Sequence, residues 1–327
     1  MGEDHGKTIG IVIPAYNEER LIGRVFDTMP DFVDRMFAVN DCSRDRTGEI
    51  IDAYAKKDPR IVPIHHDVNM GLGQSVIDGY LKARDYGVDV TAVMDGDAQM
   101  SPDDLVRVVG PVVSGDADYV KGNRLLHEDV FERMPRYRFL GNSVLTLLTK
   151  FATGYWHIID PQCAYAAISK RVLARIPIEQ MTKGYGYNAD ILNMLNLRNY
   201  RICDVGVEPI YGDAQSNIKL RSYVPKVSWL LLRLFMKRLF RKYLVREFHP
   251  LIFFYLFSFF NGMIVALPMM IRFIYFFATT GEVPPTTLLL LMFSVSFAFF
   301  SLFFAMWLDM EDNRKLIAVS TRHDADE

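Results

Sequence analysis

The sequence predicts an α/β domain with a mostly parallel sheet flanked by helices, followed by an amphipathic interfacial helix and a two-helix transmembrane hairpin. Three observations predict it. Short β-branched apolar runs alternate with polar stretches of helical period early in the chain. Past residue 222, apolar residues at helical spacing are interleaved with Lys and Arg. Two long uncharged runs then follow.

Taken in order, Ile9–Ile13 is a β-branched run ending at Pro14, and a helical pattern covers Glu18–Met29. Met36–Val39 reads as a second strand, Arg46–Lys57 as a helix and Ile61–Ile64 as a third strand. Gly73–Tyr86 is a helix and Val90–Met94 a fourth strand. Near-continuous apolar strands imply burial on both faces, as in parallel sheets covered by crossover helices. Ligands in such sheets gather beyond the carboxyl ends of the strands. The polar runs after Ile13, Val39 and Met94 are therefore where function is expected.

The stretch Tyr223–Phe248 sets Val227, Leu230, Leu231, Leu234, Phe235, Leu239 and Leu244 at helical spacing. Arg233, Lys237, Arg238, Arg241, Lys242 and Arg246 fill much of the remainder, a pattern suited to an anionic membrane surface. A solvated helix packed on the domain has the same pattern. Leu251–Ile271 and Thr287–Leu308 carry no formal charge, and each is long enough to cross a hydrocarbon core. The connector Thr279–Pro285 lacks Lys and Arg, whereas basic residues precede the first run and Arg314 and Lys315 follow the second. The positive-inside rule places both ends in the cytoplasm and the turn outside. Arg272, the one charge near the outer end of the first run, is expected to snorkel to the interface.

Composition narrows the function. With 37 Lys and Arg against 39 Asp and Glu the net charge is −2, which gives no reason to expect nucleic-acid binding. Cys42, Cys163 and Cys203 form no CxxC pair, so neither a disulfide framework nor a Cys-based zinc site is expected. Met1–Lys7 is polar and charged, without the pattern of a signal peptide, so the first domain is expected in the cytoplasm.

Asp95-Gly96-Asp97-Ala98-Gln99 directly follows the fourth strand. Two carboxylates two residues apart, with an amide two further on, offer hard oxygen ligands to one Mg²⁺ or Mn²⁺. Such an ion can bridge phosphates and neutralise a leaving diphosphate. Taken alone, two Asp in a turn are more often solvated. In Pro14-Ala15-Tyr16-Asn17-Glu18, Tyr16 can stack on a base; an N-capped helix start at Asn17 is the plainer alternative. In Asn40-Asp41-Cys42-Ser43-Arg44-Asp45-Arg46-Thr47, Asp41 can accept from a base N–H and Arg44 or Arg46 can meet a phosphate. A charged turn with Asp45 capping the next helix fits nearly as well. Gly71-Leu72-Gly73 lacks the third glycine of a dinucleotide fingerprint, because Val76 stands there. Gly71 and Gly73 are instead expected to permit a tight turn beside a nucleotide.

In this order and spacing, these runs resemble the family 2 glycosyltransferases of the GT-A fold, and within them the dolichyl- and polyprenyl-phosphate sugar synthases. The matching runs are Pro14–Glu18, Val39–Ser43, Asn69–Gly73 and Asp95–Gln99. The resemblance continues through Lys121-Gly122-Asn123-Arg124, the Arg136–Arg138 region and Asp160-Pro161-Gln162, covering about the first two-thirds of the chain. It implies nucleotide contacts from Pro14, Ala15, Tyr16, Glu18 and Asp41, and metal contacts from Asp95, Asp97 and Gln99. Arg124 and Arg138 fall where the family holds the acceptor phosphate, and both are fixed-charge donors able to grip phosphate bidentately. Asn40 and Cys42 depart from the usual Asp and Gly, and Cys163-Ala164 from the frequent Ser-Gly.

A lipid phosphomonoester is largely ionised at neutral pH, with a second pKa of about 6, so it needs no strong general base. Asp160 and Asp190 are therefore expected to orient sugar or acceptor, with structural capping the alternative for Asp190. Lys219, just before the membrane helices, can approach the acceptor phosphate. The resulting division is a cytoplasmic catalytic domain at 1–221, interface helices at 222–250, two transmembrane helices at 251–308 and a cytoplasmic tail at 309–327.

The expected reaction is metal-dependent, inverting transfer of one sugar from GDP-mannose, UDP-glucose or UDP-N-acetylglucosamine to dolichyl or polyprenyl phosphate at the bilayer. Self-association into a homo-oligomer stays open. A processive polysaccharide synthase shares the fold, but none of Trp156, Trp229 and Trp307 follows an Arg as a Gln-x-x-Arg-Trp run requires. A non-catalytic nucleotide-sugar-binding membrane protein is the other alternative.

Overall fold

Ile9–Ala15 (β1) is rich in Ile and Val and wholly buried, as a central strand covered on both faces must be. The computed structural model describes residues 6–126, 136–208, 210 and 220–318, with backbone alone for 126, 136–140, 142 and 220–223. After β1 come Ile22–Asp27 (α1), Arg35–Asn40 (β2), Thr47–Ala55 (α2), Ile61–His65 (β3), Leu72–Tyr86 (α3) and Val90–Val93 (β4). Leu105–Ser114 (α4), Tyr119–Asn123 (β5), Arg136–Thr153 (α5), Ala166–Ser169 (β6), Lys170–Leu173 (α6), Tyr187–Asn196 (α7) and Ile202–Gly206 (β7) complete the α/β part.

The strands form a seven-stranded sheet in the order β3-β2-β1-β4-β6-β5-β7. All neighbours are parallel except β6, which runs antiparallel to both β4 and β5. Separate apolar clusters cover the two faces, one with Ile11, Ile13, Val108 and Val120, the other with Val12, Tyr80, Ile168 and Leu192. The expected α/β architecture is therefore present, with the four strands read from the sequence all in place.

The helix expected over Glu18–Met29 is shorter, beginning at Ile22. The backbone N–H groups of Asn17, Glu18 and Glu19 are instead spent on Ser43 Oγ, Thr47 Oγ1 and Asp45 Oδ2. Side chains of the second loop thus hold the first loop open beside the sheet edge.

The chain divides into two compact units, residues up to Phe235 with 316 onward, and Met236–Lys315. Leu220–Arg238 (α8) ends the α/β part of the chain. In the second unit, Leu251–Thr280 and Pro285–Leu316 are helical segments of 30 and 32 residues, long and apolar enough to cross a membrane. They pack through Phe254 against Phe304 and a bond from Ser258 Oγ to the Ala298 carbonyl at 2.9 Å. A π-helical stretch, Phe260–Ala266, interrupts the first. Arg272 lies over the Phe276 ring at 5.5 Å.

One part of the expected basic face is corrected here. Arg238 and Lys242 are buried and face inward. Arg238 forms a bidentate pair with Asp309 at 2.6 and 2.7 Å, and Lys242 reaches Asp312 at 3.1 Å and Asn313 at 2.8 Å. Their charge is matched within this unit, so these two residues are not part of the expected basic face.

Candidate active site

The loops after β1, β2, β4 and β5 all lie at one edge of the sheet, as expected for a site beyond the carboxyl ends of parallel strands. Pro14 and Ala15 end β1, and their carbonyls accept from Gly96 N and Asp41 N, each at 3.0 Å. Tyr16 projects outward, 41% exposed. Asn17 takes a left-handed backbone (φ 58°), and its Oδ1 accepts from Arg44 N at 2.8 Å. The first two loops are thereby laced together.

Asp41 is nearly encased. Its Oδ1 accepts from Met70 N at 2.7 Å and lies 2.8 Å from His66 Nδ1, while Oδ2 accepts from Gly71 N at 2.8 Å. His66 Nε2 meets Asp78 at 3.0 Å, and Gln74 Nε2 donates to the same Asp78 carboxylate. Asn40 is committed elsewhere, accepting from Ser43 N and meeting His65 at 3.2 Å. Cys42 sits at φ 56°, a left-handed conformation that a glycine would adopt more cheaply.

Gly71 and Gly73 serve two purposes. Gly71 has φ +90°, which favours glycine, so the expected turn is present. Gly73 is needed for close approach: a Cβ there would lie 2.4 Å from the Thr182 carbonyl oxygen and 2.5 Å from Lys183 C. The Thr182–Lys183 backbone lies against the start of α3, where Gln74 N donates to the Lys183 carbonyl at 3.1 Å.

Asp95, Asp97 and Gln99 follow β4. Gln99 N donates to Asp97 Oδ1 at 3.0 Å, and Ala98 is left-handed (φ 55°), so the run forms a tight turn. Asp95 Oδ1 is buried with no hydrogen-bond partner among the described residues. Burial first, and the charge of Asp97 second, push the Asp95 carboxyl up to about 7. Burial followed by the charges of Asp97 and Asp45 raises Glu18 to about 7 as well, and burial raises Asp97.

Arg124, just past β5, pairs with Asp160: Nε lies 2.7 Å from Oδ2 and Nη2 3.2 Å from Oδ1. Asp160 is buried while Arg124 stays partly exposed. Asp190 on α7 accepts from Thr182 N and Oγ1, so it anchors the same segment that rests on Gly73; its Oδ1 is buried without a partner among the described residues. Arg138 lies in the first turns of α5, and its side chain falls outside the described residues, as does Lys219 entirely.

Sequence reasoning passed over His66, Asp78 and Asn188. His66 follows β3 at the same sheet edge, so the carboxyl-end rule applied to β3 would have found it. Asn188 Oδ1 accepts from the fully buried Lys121 Nζ at 2.6 Å, and its Nδ2 donates to the Gln162 carbonyl. No local signal marks that cross-chain contact.

The family model for glycosyl transferase family 2 matches residues 10–176, which contain every loop just described except the Thr182–Asp190 segment. The chain belongs to glycosyl transferase family 2. This glycosyltransferase is 29% identical over 220 residues to a UDP-N-acetylglucosamine–dolichyl-phosphate N-acetylglucosaminyltransferase from Methanococcus voltae, covering 63% of this chain and 87% of that one. It is also 29% identical to the undecaprenyl-phosphate mannosyltransferase of Micrococcus luteus, over 60% of this chain and 81% of that one. In fold it is similar to glucosyl-3-phosphoglycerate synthase from Mycobacterium tuberculosis, with a TM-score of 0.54 at 20% identity, covering 71% of this chain and 80% of that one. The fold of the glycosyltransferase is the GT-A fold expected from its motifs.

Proposed function

We propose that this glycosyltransferase moves one sugar from a uridine-diphosphate sugar to a polyprenyl phosphate, with inversion, on the cytoplasmic side of a membrane. The observation that carries the reading is the pairing, at one sheet edge, of a buried carboxylate turn at Asp95–Gln99 with the partly exposed Arg124 guanidinium. Both curated relatives above are named as polyprenyl- or dolichyl-phosphate sugar transferases, which supports the same acceptor class.

The residues at the turn fit a divalent cation. Asp95 has an unmatched buried oxygen, and both Asp95 and Glu18 are raised by burial first and neighbouring negative charge second, a strain that a cation would relieve. Among the described residues no three His, Cys, Asp or Glu groups form a closed cage. Asp95, Asp97 and Gln99 are the residues proposed to hold Mg²⁺ or Mn²⁺, which when bound would neutralise charge on the leaving diphosphate.

The nucleotide would lie along Pro14, Ala15, Tyr16, Glu18, Asp41, Gly71 and Gly73, with Tyr16 available to stack on the base. Asp41 favours uracil. A carboxylate has about four acceptor positions; the Met70 and Gly71 amides and the His66 ring occupy all but one. One remaining acceptor suits the single ring N–H of uracil, whereas the adjacent N1–H and N2–H of guanine call for two.

Arg124, with Arg138 and Lys219, would hold the acceptor phosphate. Asp160 fixes the Arg124 fork by its bidentate pair, so it orients the acceptor site indirectly. Asp190 acts in the same indirect way, holding the Thr182–Lys183 segment against the nucleotide side. The acceptor phosphate supplies its own nucleophilic oxygen. For orientation, the connector Gly281–Pro284 carries no Lys or Arg, while Lys237, Arg241 and Arg246 precede the first apolar helix and Arg314 and Lys315 follow the second. Both ends then face the cytoplasm.

The test is incubation of the purified chain with a polyprenyl phosphate and labelled UDP-N-acetylglucosamine, UDP-glucose or GDP-mannose, followed by counting the organic phase. Label is expected from a UDP-sugar, and none after Asp97→Ala. Absence of label from every donor would favour the non-catalytic reading.

A further inference from the structure

Strand β3 ends at His65, and His66 carries its pairing one step further, its N–H donating to the Asn40 carbonyl of β2 at 3.0 Å. Successive side chains of a strand point to opposite faces, so the two histidines diverge. His65 turns toward α2, with Nε2 3.0 Å from Asp52 and Nδ1 against Asn40. His66 turns toward α3 and the loop after β2, where Nδ1 lies 2.8 Å from Asp41 Oδ1 and Nε2 3.0 Å from Asp78 Oδ2. The His66 side chain is 7% exposed and that of Asp41 5%. Asp78 is braced in turn, because Gln74, one turn earlier on α3, donates through Nε2 to both of its oxygens at 3.1 and 3.0 Å. The ring is therefore held at both nitrogens.

This arrangement leaves the two oxygens of Asp41 unequal. Each carboxylate oxygen has about two acceptor positions. Oδ1 accepts from Met70 N and meets His66 Nδ1, which fills it, while Oδ2 accepts from Gly71 N and keeps one position. The Met70 and Gly71 donors are backbone groups, so of the three contacts only that of His66 depends on a side chain. Guanine presents two adjacent donors, N1–H and N2–H, and grips a carboxylate through one position on each oxygen. Uracil presents one ring N–H and needs one position.

We infer that His66 is the specificity-determining residue of the donor site: it fills the last position on Asp41 Oδ1 and so bars the two-point grip of a guanine base. Asp78 is a positioning residue that keeps the ring in place. The inference rests on the reading that Asp41 faces the base of the nucleotide-sugar. Without His66, each Asp41 oxygen would keep one open position, the pair that guanine calls for.

The experiment measures binding of UDP, GDP and inosine diphosphate to the full chain in detergent at equal Mg²⁺. Inosine diphosphate has the purine ring and N1–H of GDP without the N2 amino group, so the ratio of the two affinities reads the second donor at nearly constant size. Wild type is expected to bind GDP no more tightly than inosine diphosphate. His66→Leu should raise that ratio about tenfold in favour of GDP, the worth of about one hydrogen bond. His66→Asn, whose amide can donate from near the Nδ1 position, should restore the wild-type ratio. His65→Leu, the neighbour on the other face, should leave it unchanged. His66→Met is a second donor-free variant, used where thermal melting shows that His66→Leu is poorly folded. A ratio that donor-free variants leave unchanged overturns the inference, and so does a wild type that already prefers GDP to inosine diphosphate about tenfold. Wild type binding UDP no more tightly than GDP is a separate result: it overturns the uridine reading, and the ratio still decides the role of His66.

Discussion

Arg124 and Asp160 form a two-point ion pair, Nε to Oδ2 at 2.7 Å and Nη2 to Oδ1 at 3.2 Å, with the carboxylate buried and the guanidinium reaching the surface. The pair fixes the plane of the guanidinium, the planar presentation that two-point phosphate recognition requires. Asp160→Asn should therefore raise the KM for polyprenyl phosphate about tenfold with UDP affinity nearly unchanged, and Arg124→Lys should not restore it, because an ammonium lacks the fork. Steady-state kinetics on both substrates check this; a loss confined to kcat at unchanged acceptor KM would assign Asp160 a different role.

The Asp95–Gln99 turn predicts a metal dependence of nucleotide binding. UDP should bind about tenfold or more tightly with Mg²⁺ or Mn²⁺ than with chelator, since the ion offsets both the diphosphate and the buried carboxylates. Asp97→Ala should abolish that increment and leave chelator-treated binding intact, as read by calorimetry. A metal effect that survives in the variant would move the ion elsewhere.

Asp41 predicts base selectivity. GDP, whose second donor finds no free acceptor there, should bind about tenfold more weakly than UDP, the cost of about one unmet buried hydrogen bond. Competition of the two nucleotides at equal metal concentration checks this, and equal affinity would remove Asp41 from base recognition.

Gly73 predicts a packing penalty. A methyl group at that position would sit 2.4 Å from the Thr182 carbonyl oxygen, and backbone on both sides leaves no flexible end to give way. Gly73→Ala should cost about 1–3 kcal/mol of stability and weaken nucleotide binding by displacing the Thr182–Lys183 segment. Chemical denaturation and UDP titration of the same sample separate the two effects.

Asp204 predicts a pH dependence of stability. Its Oδ2 accepts from Ile159 N at 2.8 Å and Asn123 Nδ2 at 3.1 Å, and burial pushes its carboxyl up to about 7. The folded chain therefore keeps a proton that the unfolded chain releases near an ordinary pKa of about 3.9. The contribution of this group is full below about pH 4, falls by about 1.4 kcal/mol per pH unit as pH rises toward about 7, and is gone above it. Asp204→Asn should lose this slope, so the wild-type-minus-variant melting difference should shrink between about pH 5 and about pH 7. A difference flat in pH would contradict the assignment.

Strands β1, β2 and β4 were legible because each is an apolar run buried on both faces, and β3 because Ile61, Val62 and Ile64 are β-branched, patterns that need no tertiary context. Strand β6, Ala166–Ser169, was not: four residues with one β-branched side chain carry no such signature, and its antiparallel direction is set by its neighbours. Among site residues, Asp95 and Asp97 were legible since both partners lie in one turn. The Arg124–Asp160 and Asp41–His66–Asp78 pairings join residues from separate loops and from helix α3, and only the fold brings them together. Gly73 was read as a turn residue, whereas the structure assigns its lack of a side chain to the backbone packed against it.

The central claim, transfer of one sugar to a lipid phosphate, is tested most directly by the mass of the lipid product formed from a UDP-sugar and a polyprenyl phosphate of known length. The account predicts a single species heavier by one sugar residue, still a monophosphate. A ladder of multiple sugars, a lipid diphosphate, or free sugar with unmodified lipid would contradict it.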